Sequence, residues 1–91
     1  MRVIRAPLTG SPPVSTVDPV LAIVHDLLWA HAVPADGLEH VTPRGADDGL
    51  HVFLFLRAAS DTAALLSART VLDRSRVPLG ALGYAVTDLN R

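Results

Sequence analysis

Apolar positions recur along this chain with two different periods, and each period predicts an element. Arg2–Leu8 (RVIRAPL) is short, carries the β-branched pair Val3 and Ile4, and closes at Pro7, as a strand does where its ladder loses a donor. Thr9–Val17 (TGSPPVSTV) has no such period, and its Gly, Pro, Ser and Thr content predicts a flexible loop with a polyproline-like middle at Pro12 and Pro13. Asp18 followed by Pro19 is a helix start: the carboxylate accepts from the free amides of the first turn, and proline at the first helical position sacrifices no bond. The 3.6-residue period then predicts a helix to about Val33, stopped by Pro34. Val20, Ile23, Val24, Leu27, Leu28 and His31 face the core, with Ala22, His25, Asp26 and Trp29 on the other side.

After a turn at Pro34–Gly37 the period changes to two. Leu38–Thr42 (LEHVT) alternates as a half-exposed edge strand does, and Pro43–Gly49 (PRGADDG) has hairpin-loop chemistry. Leu50–Leu56 (LHVFLFL) is the most apolar segment, of the kind normally covered on both faces. Ser60 or Asp61 caps a second helix over about Thr62–Ser75, in which Ala64, Leu65, Ala68, Val71, Leu72 and Ser75 share a face. Arg69, Thr70, Asp73 and Arg74 lie opposite, in solvent. Pro78 and Gly80 end that helix, and Ala81–Thr87 (ALGYAVT) predicts a last strand. One continuous helix over Leu50–Leu72 is the competing reading, and Ser60 and Asp61 argue against it as poor residues for a helix interior. The resulting order, βαββαβ, predicts a ferredoxin-like α+β sandwich spanning residues 1–91 as a single domain. Its four-stranded antiparallel sheet carries two helices on one face and has the first and third strands inside.

Composition narrows the class. A chain of 91 residues holds one core, and 49% apolar with 19% charged residues is an ordinary globular balance. With no cysteine, neither a disulfide framework nor a thiolate metal site can form. A net charge of −1 with mixed signs offers no footprint for phosphate backbones or anionic lipid, so neither nucleic acid nor membrane is an expected partner. The longest apolar stretch, Val20–Val33, contains His25, Asp26 and His31 and falls short of the roughly 20 residues that span a bilayer. Pro7, Gly10, Pro12 and Pro13 interrupt the start of the chain before a signal peptide could form. The expected location is the cytoplasm.

Alternation divides the apolar strand into two rows. Leu50, Val52, Leu54 and Leu56 should face the helices; His51, Phe53, Phe55 and Arg57 should not. Both phenylalanines then lie on the open sheet face, with Tyr84 expected beside them. A small protein rarely leaves such a patch wet, so a second copy, another protein or an apolar ligand is expected there, unless the Thr9–Val17 loop folds over it. Trp29, four residues after His25, is a further candidate contact, because tryptophan is enriched at binding hot spots. His31, near the helix end, reads as a histidine satisfied by a carbonyl.

His40 and His51 lie on the two arms of the hairpin with Glu39 nearby, and an imidazole pair with a carboxylate can hold a metal or pass a proton if the register joins them. Asp47 and Asp48 read as turn formers. Gly80–Gly83 (GALG) lacks the rest of a dinucleotide fingerprint, and no GxSxG, HExxH, P-loop or CxxC pattern occurs. Asp48–Phe55 (DGLHVFLF) lines up with the central-strand motif of RNA-recognition domains only at its glycine and last aromatic, with Leu50 and Val52 at the stacking positions. The chain is therefore expected to be a non-enzymatic interaction or accessory module, homodimeric through the open sheet face, with no cofactor. The alternative is a dimeric ferredoxin-like enzyme, or a domain holding a small apolar ligand between sheet and helices, with His51 or His40 as base. An enzyme needs several polar groups converging on one pocket, and only histidines are on offer.

Overall fold

Period-two alternation sorts the sheet into a buried and an outward row. β1 (Arg2–Gly10), β2 (Leu38–Ala46), β3 (Gly49–Leu56) and β4 (Tyr84–Val86) form one antiparallel sheet in the order β2-β3-β1-β4. With α1 (Val20–His31), α2 (Asp61–Ala81) and a 3₁₀ turn at Pro34–Asp36, they make an α+β fold in the order βαββαβ. The structure is a computed structural model that describes residues 1–10, 19–87 and 89. The expected Asp18 cap and the expected loop beyond Gly10 lie outside the described residues.

Ile4, Ala6 and Leu8 of β1, Val41 of β2 and Leu50, Val52, Leu54 and Leu56 of β3 are at most 2% exposed. They share one core with Val24 and Leu28 of α1 and with Ala64, Ala68, Val71, Leu72 and Leu79 of α2. Burying a leucine side chain is worth roughly 1.5–3 kcal/mol, so a one-residue slip of β3 would forfeit most of the core. The phenylalanine row of β3, on the other face, is part-exposed. In α1 the buried stripe is centred between Val24 and Leu28, which leaves Ile23, expected inside, 49% exposed on the flank.

Three prolines expected to end elements lie inside them, each for a stated reason. Thr87 N–H donates to the Pro7 carbonyl at 3.1 Å, so Pro7 turns its nitrogen towards the β4 side and the β1–β3 ladder loses no donor. Pro43, opposite Val52, sits in edge strand β2, where a nitrogen turned to the open edge costs no bond. The hairpin loop accordingly shrinks to Asp47 and Asp48 between the paired Ala46 and Gly49. Pro78 lies within α2, which runs on past Ser75 because the next stripe position, Leu79, is fully buried. The helix ends at Ala81, and Gly83 follows its C-cap Leu82 with a φ of 93° that glycine adopts at little cost, its N–H donating to the Gly80 carbonyl at 3.0 Å.

Ser60 is the N-cap of α2, its Oγ accepting from Ala63 N–H at 3.1 Å. The loop before it is clasped by Arg2, which donates to the carbonyls of Ala58 and Ala59 and pairs with Asp61 at 2.8 Å. Among the described residues no helix is long and apolar enough to cross a membrane.

Candidate binding surface on the sheet

The outward row forms a grid whose rungs are set by the register. His40, Phe55 and Val3 make one rung across β2, β3 and β1; Thr42, Phe53 and Arg5 make the next; Arg44, His51 and Pro7 follow. Arg5, His40, Arg44 and Val3 are exposed, the last at 40%, and the two phenylalanines between them are part-buried. A bulge between Leu38 and His40 makes Glu39 the extra residue of β2 and pairs His40 with Phe55, and both bulge residues are exposed. The His40 and Phe55 rings lie with centroids 5.4 Å apart at 57°. Thr42, Arg44, Phe53 and Phe55 line an open cavity of about 250 Å³.

The rungs carry Arg5 and Arg44, with the exposed Glu39 at the bulge beside His40, and neither arginine makes a side-chain hydrogen bond or ion pair among the described residues. Several of the carboxylates are engaged elsewhere: Asp61 with Arg2, Asp73 with Arg76 at 3.1 Å, and Asp26 with His25 at 3.0 Å.

One tightly held carboxylate went unnoticed in the sequence. Asp36 is 7% exposed, accepts from Val33 N–H at 2.8 Å, and takes a two-pronged donation from Arg74 with both contacts at 3.0 Å. Arg74, expected in solvent, also donates to the His31 carbonyl, so it ties α2 to the end of α1 and the turn after it. The guanidinium's hydrogen bonds hold the Asp36 carboxyl below its ordinary value and raise Arg74 above its own. Asp36 accepts from the backbone of Val33 three residues earlier, as the acidic half of a capping box does, but valine has no side-chain acceptor to complete the motif, so no recognisable spacing marked it.

Other candidates are dispersed. Tyr84, expected beside the phenylalanines, is in the core at 6% exposure: the register sets it against Gly10 on the buried row, where a Cβ on Gly10 would come within 2.4 Å of the ring. Trp29 (37% exposed) and His25 meet edge-to-face at 6.5 Å on α1, which packs against the other side of the sheet from the grid. His31 meets the Leu27 carbonyl at 2.8 Å through Nδ1, which must therefore carry the proton.

His40 and His51 share the outward row but stand opposite Phe55 and Arg44, four β3 positions apart, roughly 13 Å along the strand. That separation overturns their pairing at a metal or in proton transfer. Being on the outward row, neither reaches a cavity between sheet and helices. Among the described residues no group of three or more His, Cys, Asp or Glu gathers as a metal site. A cavity of about 360 Å³ lies between α2 and the β4 end, lined by Arg69, Asp73, Arg76 and Thr87 among others.

Protein-family models, curated proteins and solved structures were compared with the chain, and none matches it. The grid is thus a row of aromatic side chains on an inner strand, flanked by two arginines that are unpaired among the described residues.

Proposed function

We propose that the chain is a ferredoxin-like interaction module that works by binding and not by catalysis, with the Phe53–Phe55 face of its sheet as the binding surface. The element order, the β2-β3-β1-β4 strand order with β1 and β3 inside, and the single row buried with both helices support the fold reading. One observation carries the functional reading: the aliphatic row of β3 is fully buried while both phenylalanines of the protein stand on the part-exposed row beside arginines that are unpaired among the described residues. Aromatic area left in water beside a cation is costly to keep and productive to cover.

A second copy of the chain is one occupant of this face. Arg5 lies directly across from Phe53, so in a two-fold sheet-to-sheet dimer each arginine could stack on the other copy's ring. Wild type and the double variant Phe53→Ser/Phe55→Ser should be compared by sedimentation equilibrium and by thermal shift with apolar ligands and oligonucleotides. Self-association or a ligand shift present in the wild type and lost in the variant is the expected result. A wild type that stays monomeric and unshifted, or binding indifferent to the two changes, would sink the proposal.

A further inference from the structure

We infer that the occupant of the sheet face is a single strand of nucleic acid, its bases stacked on Phe53 and Phe55 and its phosphates against Arg5 and Arg44; this rests on the sheet face being the binding surface. The two rings are same-face neighbours on an inner strand, roughly 7 Å apart along β3, which makes a row of π-faces rather than a single anchor. The cations flank that row on both sides: Arg5 on β1 beside Phe53, and Arg44 on β2 one rung further along. A strand crossing the rings passes both charges. His40 widens the stacking surface by its contact with Phe55, and the cavity of about 250 Å³ between Thr42, Arg44, Phe53 and Phe55 offers room and a hydroxyl for one base.

Charge selects among occupants. Arg5 and Arg44 are the charged residues paired into the rungs, and the exposed Glu39 stands at the bulge beside His40, at the end of the grid away from Arg44. A second copy could stack its Arg5 on Phe53 but would also bring two further arginines against these two, whereas a polyanion supplies the counter-charge itself. A duplex hides its base faces, whereas an unstacked single strand presents them, which is how sheet-based binders read it. Read from sequence, the stacking positions fell on Leu50 and Val52; in the structure these belong to the buried row, and the outward positions are Phe53 and Phe55.

The test is fluorescence anisotropy with labelled eight-nucleotide single strands of DNA and RNA, and with the matching duplex as control. Single strands should bind at least ten-fold more tightly than the duplex. With two phosphates neutralised, log K should fall with log salt at a slope of about −1.4, and Arg44→Ala should reduce its magnitude by about 0.7. Phe53→Leu keeps the apolar volume but removes the ring, and should weaken binding about 5- to 100-fold with the salt slope unchanged and circular dichroism native. No single-strand binding at millimolar protein, equal affinity for the duplex, or binding untouched by Phe53→Leu would each overturn the inference. If the two-serine variant instead abolishes self-association of the wild type, the nucleic acid is wrong and the binding-face reading stands. If it changes nothing at all, both fall.

Discussion

Asp36 occupies a turn of the kind usually read as punctuation, yet it accepts three charged or backbone donations and joins three elements through Arg74. Hydrogen bonds to a charged group are worth more than neutral ones, so Asp36→Ala should cost about 2 kcal/mol in urea titration. Its pH dependence has a definite sign. The Arg74 hydrogen bonds depress the folded-state value below the ordinary 3.8, so the folded chain takes up this proton less readily than the unfolded chain. The stabilisation is complete above the unfolded value and drains away as pH falls through the folded one. Wild type should therefore lose stability below roughly pH 4, and Asp36→Asn should remove that part of the acid limb. Equal losses in the two chains between pH 6 and pH 3 would count against the ion pair.

At the scale of elements, α2 offers the sharpest discrimination. Leu79 is fully buried beyond Pro78 and Val77 is 85% exposed beside it, so Leu79→Ala should cost about 2–4 kcal/mol and Val77→Ala less than about 0.5. Matching small effects in denaturant unfolding would mean that the helix ends before the proline. The two rows of β3 and the Ser60 cap were legible in the sequence because each depends on spacing within a few residues. The reach of β1, β2 and α2 past Pro7, Pro43 and Pro78 was not, because the cost of a proline depends on whether its nitrogen faces a partner strand or an open edge, and on what the following residues bury. The site divides the same way. Phe53 and Phe55 followed from alternation alone, whereas Tyr84 took its side from pairing with Gly10, and His40 its place from a bulge.

Taken whole, the molecule has one dry face of its sheet and one wet one, and the same chemical insult should do different things to each. Val52→Asp or Leu54→Asp places a charge at a site with no exposure and should unfold the chain, while Phe53→Asp, one residue away, should leave the fold standing and change only what binds. Circular dichroism of the three variants checks this, and loss of native signal in Phe53→Asp would show that the outward row is structural after all. The rims of the sheet have a different consequence. A fibril grows when an edge offers an unbroken row of donors and acceptors to the next chain. Here one edge is interrupted by the missing hydrogen of Pro43 and buckled by the bulge before His40, and β4 on the other side is only three residues long. The sheet is thus a poor seed for its own polymerisation, and it can keep an aromatic face in water without recruiting neighbours edge to edge.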